Sequence, residues 1–538
     1  MVEMSTPTPL AVAVRPRLFY LAAGAFGTLI VFGMRLALAS RVEFCGWRDG
    51  CFYYTLARHL ADHRGFVVPF VWNYQVGDIG LPNPALEYWR PGMSFILAVP
   101  ALLGGAVTLY AAAVLTSLAT VMLSLSAAWL AWRTMADRMA ALLAYLLCLS
   151  LAPLWALPLT PDSALFYAVA VAWFLALVAV ERRSFGVELL GVALIGVAYF
   201  IRNDAIVVGA SLAGIVAMRL VGARRDCFRD EARCAVVLAV AFVLALLPTH
   251  LVLYAVNGHF FNSAIDRVIF LGNIDDFRRY GAAVDFGTWS GAGLATLVKA
   301  RLAALFTTAR AVLLMCGQFP TLLALFGAAI VVTRRRREYG GQFLGPALFL
   351  LALVGSYILV LPVIADHAVP RSVAALLPAF AVLAVIAARE VTHSVRMNAL
   401  VVGAAALLGV IHGLSVAQGL LGHFHDLRVQ YTEEARLIEN GATKGRRLVA
   451  MVKDPAPFAT TTGIPSVPLP SNGIAATRQA IARYGVTAVV TDEWHGGRAL
   501  AAALGATDVV GVPGTTDIVI AVPPTRAAGD QTTATARR

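Results

Sequence analysis

Apolar runs long enough to cross a bilayer recur along most of this chain, and nothing else in the sequence restricts its fold so severely. A hydrocarbon core about 30 Å thick needs roughly 17–25 helical residues, because each residue advances the helix by about 1.5 Å. Runs at approximately 18–39, 107–132, 139–157, 163–180, 187–201, 204–220, 235–255, 311–333, 343–364, 373–388 and 398–418 predict about eleven transmembrane helices. In lipid a spanning segment must satisfy its own backbone hydrogen bonds, so runs of this kind become helices. The fold class is therefore an all-α polytopic membrane bundle. Composition agrees: 59% of residues are hydrophobic and 14% charged, against roughly 25% charged in soluble domains. The first run follows Arg15 and Arg17 and lacks a small-residue cleavage site, so it reads as a retained signal anchor.

Charge then orients the bundle. With the N-terminus inside, the even-numbered connections hold Arg133 and Arg138, Arg182 and Arg183, the group Arg219, Arg224, Arg225, Arg229 and Arg233, the run Arg334 to Arg337, and Arg389 with Arg396. The short outer connections carry isolated arginines such as Arg202 and Arg371. That asymmetry is the positive-inside pattern, and it gives the net charge of +12 a topological meaning rather than a nucleic-acid partner. The chain carries no nucleic-acid motif and no glycine-rich phosphate loop.

Three segments fall outside the bundle, all on the outer side. They are a first loop from about Ser40 to Gly92, a second from about Asn257 to Arg310, and a tail beginning near Gly422. Strand patterns at 447–452, 486–490 and 518–522 alternate with helical stretches at 455–462 and 477–484. That alternation predicts a small α/β domain over 422–524, folding by itself. The small polar residues of 525–538 predict a disordered end. Six cysteines are scattered without a CxxC pair, so a structural metal site is not indicated. Cys148 and Cys316 sit in apolar runs as small core residues. Cys45 and Cys51 share the first outer loop, where an oxidising compartment permits a disulfide and two unpaired thiols are the simpler alternative.

Chemistry concentrates in short polar groups at the outer helix ends. The first loop contains Trp47-Arg48-Asp49-Gly50-Cys51-Phe52-Tyr53-Tyr54, then Ala57-Arg58-His59-Leu60 and Gly65-Phe66. Apolar residues three and four apart make Phe52 to Leu60 an amphipathic helix fit to lie flat on the bilayer. Asp49 then stands at its start, either as an N-cap or as a preorganised carboxylate at the membrane face. Glu87-Tyr88-Trp89-Arg90-Pro91-Gly92 leads towards the second span, and Glu87 with Arg90 has the spacing of an ordinary surface ion pair. Thr160-Pro161-Asp162 sits in a very short connection, so Asp162 lies close to the membrane surface, where ionisable groups are functional candidates. Asp162 also suits a helix cap. Arg202-Asn203-Asp204 and Asp366-His367-Ala368-Val369-Pro370-Arg371 complete the set. Their arginines suit either a phosphate or snorkelling to lipid headgroups.

Together these pieces resemble the GT-C superfamily of membrane glycosyltransferases, and within it the protein O-mannosyltransferase and aminoarabinose-lipid A transferase branch. The matching elements are Asp49, Tyr53-Tyr54, Ala57-Arg58-His59-Leu60 and Gly65-Phe66, the stretch Glu87 to Gly92, and Thr160-Pro161-Asp162. Further matches are Tyr199-Phe200-Ile201-Arg202-Asn203-Asp204, Arg371 to Pro378, and the tail segments 452–455, 462–467 and 483–493. Where many members carry His-Pro-Pro or Lys-Pro-Pro-Leu, this chain has Trp89-Arg90-Pro91-Gly92.

The resemblance implies an inverting transfer of a sugar from a polyprenyl-phosphate donor to a lipid, glycan or protein acceptor. The reaction would occur at the outer face of a bacterial cytoplasmic membrane. On that reading Asp49 is the base and Asp162 shares that role or orients the acceptor. Arg202 and Arg371 neutralise the phosphate, while Glu87, Arg90, Tyr53, Tyr54 and Arg58 line the substrate site. No metal is required, although two outward carboxylates could hold a divalent cation. Two rivals remain at this stage: a transporter or lipid flippase, and a non-catalytic assembly protein of the cell envelope. A transporter needs polar groups near the midplane, and the sequence offers only Arg35, His250 and His412 as notable intrusions.

Overall fold

A computed structural model describes residues 10–75, 79–178, 184–222, 227–261, 265–291, 293–314, 317–441, 447–506 and 508–523. Arg182, Arg183, Arg224, Arg225, Cys316 and the tail from 525 lie outside the described residues, as do the side chains of Arg336, Arg337, Asp366 and His367. Among the described residues, seven helices are long and apolar enough to cross a membrane, or up to nine if each of two bent pairs forms one span. Two expected spans, at 163–180 and 187–201, are the shorter apolar helices Ala164–Val178 and Phe185–Ile201. The chain is a multi-pass α-helical membrane protein with a small sheet-containing region at its C-terminal end.

Small residues let the helices close on one another, as they must where lipid supplies no hydrophobic drive for helix association. At Gly327, in helix Gln318–Thr333, an added Cβ would meet the Leu383 carbonyl oxygen of helix Leu377–Thr392 at 1.9 Å. Only a glycine allows that approach. One buried hydrophobic core includes Leu123, Leu147, Phe174, Val382 and Val385. The basic connections meet at one end of the bundle, where Arg219 pairs with Glu188 at 2.6 Å, Arg335 with Glu390 at 3.1 Å and Arg389 with Asp137 at 3.7 Å.

The span expected at 139–157 is broken. Helix Arg138–Ser150 is bent by 58° from the segment Pro153–Leu159. Pro153 cannot donate to the preceding turn, which frees carbonyls inside the bundle. Arg35, 1% exposed in the first span, answers them. Its Nη2 donates to Leu149 O at 2.7 Å, its Nη1 bonds the Thr120 hydroxyl, and its guanidinium lies 5.0 Å over the Trp155 ring. Trp155 Nε1 donates to Ser150 O at 3.2 Å. This sequence intrusion is thus a clamp on a helix break.

At the other end of the bundle the loops and the tail form one body. Helix Val395–Asn440 runs unbroken through the boundary drawn near Gly422 and carries the tail at its tip. In the sheet, Ala450–Val452 pairs in parallel with Ser466–Pro468 on one side and Ala488–Asp492 on the other. Asp517–Ala521 runs antiparallel to both Ala488–Asp492 and Val509–Gly511. The first loop extends this sheet: Val71 N donates to Ser466 O at 3.0 Å and Ser466 N to Pro69 O at 3.1 Å. Val71 and Tyr74 fill the same core as Val449, Val489 and Ile520. The expectation of a tail folding by itself is corrected on this point, because part of its core belongs to the first loop. The second loop joins through Gln75, whose Nε2 donates to Asp276 O at 2.8 Å, and through Asn472 Nδ2 donating to Tyr280 O at 2.8 Å. That loop also contains an unforeseen helix, Leu294–Leu314.

Candidate active site

Helix Arg48–Ala61 presents Asp49, and it does not lie on a bilayer as a free amphipathic helix. Cys51, Phe52, Tyr53, Thr55, Leu56 and Ala57 are all buried. Arg48 pairs with Asp454, and Thr55 meets the Thr460 hydroxyl at 2.7 Å, so the tail helix Pro455–Thr462 grips its back. A Cys45–Cys51 disulfide ties the helix start to the chain leaving the first span, deciding the alternative the sequence left open. Asp49 is not the N-cap. Trp47 holds that position without a side-chain cap bond, and Asp49 stands in the first turn. Its carboxylate turns inward, accepting from Trp89 Nε1 at 3.1 Å and from Arg371 Nη1.

From Asp49 a row of alternating charges crosses the ends of four segments. Arg371 reaches Asp49 with one arm and Asp162 with Nε at 3.1 Å. Asp162 in turn lies 3.8 Å from Arg202 Nη1, and Arg202 holds Asp204 through two bonds, at 2.9 Å and 3.1 Å. Such a two-point guanidinium–carboxylate contact fixes orientation as well as charge. Asp204 also accepts from the Tyr357 hydroxyl at 3.3 Å and from Ser372. Three carboxylates and two guanidiniums leave the row with one net negative charge.

Asp162 does cap its helix, accepting from Ala164 N at 2.9 Å, and it belongs to the row at the same time. Its side chain is 4% exposed, against 25% for Asp49 and 16% for Arg371. Asp49 is therefore the solvent-reachable end of the row, and Asp162 the buried hinge. Tyr53, one turn on from Asp49, bonds Ser163. Burial first, and then the nearby Asp49 charge, push the Tyr53 hydroxyl well above its ordinary pKa, and the same two causes act on Tyr88. Both stay neutral hydrogen-bond donors.

Not every candidate joins. Tyr54 donates to Val107 O at 3.3 Å, and exposed Arg58 lies 5.9 Å over the Tyr54 ring, on another face of the helix. Arg90 is buried beside the row, donating to the Tyr199 hydroxyl at 2.5 Å and lying 4.4 Å over that ring. Glu87 stands 3.5 Å from His259 of the second loop. Beside Asp49, through Trp89, lies an aromatic group: Trp89 stacks on Phe52 at 4.2 Å, and Trp72 lies 4.7 Å from Trp89 and 4.6 Å from Tyr88. The sequence reading missed Trp72, Tyr357 and Ser372. Tyr357 sits inside the apolar run 343–364, where a hydroxyl near the end of the run was its one signal, and Ser372 follows the singled-out Arg371 directly, just before the run 373–388. Among the described residues, no cluster of three or more His, Cys, Asp or Glu side chains suits a metal ion. The row already supplies a cation between its carboxylates.

No protein-family model matches the chain, and no curated protein matches it in sequence. Solved structures do match. ArnT from Cupriavidus metallidurans in the apo state aligns with a TM-score of 0.58 over 95% of this chain and 98% of that one, at 14% identity. The same protein bound to undecaprenyl phosphate gives 0.56 over 95% and 99%, at 15% identity. AglB, an archaeal oligosaccharyltransferase from Archaeoglobus fulgidus in complex with an inhibitory peptide and a dolichol-phosphate, gives 0.50 over 88% of this chain and 70% of that one, at 13% identity. Identity this low speaks for the fold alone, and the fold is one this chain shares with ArnT and AglB.

Proposed function

We propose that this protein is an inverting glycosyltransferase that moves a sugar from a polyprenyl-phosphate donor to an acceptor hydroxyl at the outer face of a bacterial inner membrane. The observation that carries the reading is Arg371, held between Asp49 and Asp162 at the ends of apolar helices. A lipid-linked donor presents its scissile bond at headgroup level, where this row sits. Direct displacement needs a base on the acceptor hydroxyl and fixed cations on the departing phosphate, where charge grows. Asp49, reachable from solvent and oriented by Trp89, serves as the base. Arg371 and Arg202 face the phosphate, and Asp162 holds both guanidiniums. Buried Arg90 and the neutral Tyr53 and Tyr88 flank the row and bind the substrates. The ArnT structure bound to undecaprenyl phosphate and the AglB structure in complex with a dolichol-phosphate support a lipid phosphate as the shared ligand class. The Cys45–Cys51 disulfide supports an oxidising compartment on this side, since such bonds persist outside the cytosol.

The test uses the purified full chain in liposomes, with polyprenyl-phosphate pentoses and hexoses as donors and cell-envelope lipids and glycans as acceptors. Release of polyprenyl monophosphate reports turnover whatever the acceptor. Acceptor-dependent release, lost in Asp49→Asn, is the expected result. Donors left intact throughout the panel would overturn the reading.

A further inference from the structure

Arg371 occupies the carboxylate that the proposed chemistry needs free. Its Nη1 bonds Asp49, while its Nε bonds Asp162 at 3.1 Å. A guanidinium has five donors arranged as a fork. It can therefore keep Asp162 through Nε and exchange what its outer arm holds. Arg202 is differently placed: its fork is closed on Asp204 at 2.9 and 3.1 Å, a grip that leaves it as a fixed cation.

Resting on the transferase reading, we infer that Arg371 couples the two charge changes of the transfer by passing from Asp49 to the departing phosphate. The acceptor oxygen forms its bond to the anomeric carbon, and the bond from that carbon to the phosphate oxygen breaks. The electron pair of the broken bond stays on the phosphate, and the acceptor proton goes to Asp49. Asp49 goes from one negative charge to none, just as the phosphate goes from a singly charged diester to a monoester carrying about −1.5 to −2 at pH 7. A guanidinium shared between them loses its hold on the first as it gains the second. Asp162 is the pivot that keeps Arg371 in reach of both, and its near-complete burial suits a group that does not itself exchange partners. The donor phosphate thus competes with Asp49 for Arg371, and its binding frees the base.

Binding alone tests this, without turnover. The probe is farnesyl phosphate titrated into the full-length protein in detergent, with farnesol as the phosphate-free control. The wild type, Asp49→Asn, Arg371→Gln and the double variant are compared. Asp49→Asn, which copies the protonated base, should bind the phosphate roughly tenfold tighter than the wild type, a coupling of ordinary size between two sites. In the Arg371→Gln background the same change should gain nothing. Unchanged or weaker binding by Asp49→Asn overturns the inference. A tenfold gain that survives in Arg371→Gln also overturns it, since simple removal of a negative charge would then explain it. Should Arg371→Gln fail to fold, Arg371→Lys replaces it, because an ammonium cannot hold the pivot and the phosphate through one fork, and the same loss of gain is expected. Phosphate binding by the wild type with no gain in Asp49→Asn leaves the transferase reading standing. A wild type that binds farnesyl phosphate no better than farnesol overturns that reading as well.

Discussion

Asparagine at position 49 and asparagine at position 162 should fail in opposite ways, and the geometry of the row says by how much. Asp49→Asn keeps an oxygen for Trp89 Nε1. It loses the charge opposite Arg371, but Arg371 still holds Asp162, and the row passes from one net negative charge to neutral. With a quarter of the Asp49 side chain in solvent, that loss costs about 1 kcal/mol, the upper end for an exposed pair. Asp162→Asn also keeps its cap, since Asn accepts from a backbone N–H as well as Asp does. It strips the charge facing two largely buried guanidiniums. Breaking a buried pair costs about 3–5 kcal/mol, and the lower end applies because each guanidinium retains one carboxylate. Thermal unfolding followed by fluorescence in detergent should therefore show a clear drop for Asp162→Asn and little for Asp49→Asn. Donor turnover should show the reverse emphasis: Asp49→Asn falls about 10² to 10⁴-fold, the usual worth of a general base, in a protein that remains folded. Near-wild-type turnover in Asp49→Asn would refute the base assignment and make Asp162 the first candidate. Equal destabilisation in the two variants would refute the division into a reachable base and a buried hinge.

Replacing Cys45 and Cys51 by alanine should lower stability by about 2 kcal/mol, as expected for a short closed loop, and reduce turnover by loosening the turn that presents Asp49; in the wild type a maleimide added to the unfolded protein should label these buried cysteines only after reduction. Gly50→Ala should act similarly, because its Cβ would meet the Cys45 carbonyl oxygen at 2.5 Å and force the Asp49 turn to shift; retained activity at wild-type stability would argue against a tightly held turn. Burial, and then Asp492, raise the pKa of the Asp517 carboxyl in the folded protein. Stability from its bound proton is therefore full below the unfolded carboxylate value and is lost as pH rises through the raised folded value. Asp517→Asn should accordingly stabilise the protein at neutral pH and flatten the pH dependence of unfolding in that window.

The amino-acid pattern determined the helices, because a spanning segment is fixed locally: enough apolar residues in a row have no other way to satisfy their backbone in lipid. It determined the collection of basic loops at one end, and the helix Pro455–Thr462 that stops at Gly463. It marked Asp49, Asp162, Arg202 and Arg371 individually, since a charge at the end of an apolar run is conspicuous without any partner being known. Their partners were another matter. Arg371 and Asp49 are 322 residues apart, and Arg48 and Asp454 are 406 apart. No local periodicity encodes such a pairing, which depends on which helices become neighbours when the bundle closes. The same holds for the strand that the first loop adds beside Ser466, where the tail's edge and the loop supply complementary hydrogen bonds only once both are in place. Tertiary structure alone turned Asp49 from a candidate cap into an inward-facing carboxylate, and sent Tyr54 and Arg58 away from the site. A helix has several faces, and only its packing against Trp89 on one side and the tail helix on the other selects which of them meets the charges.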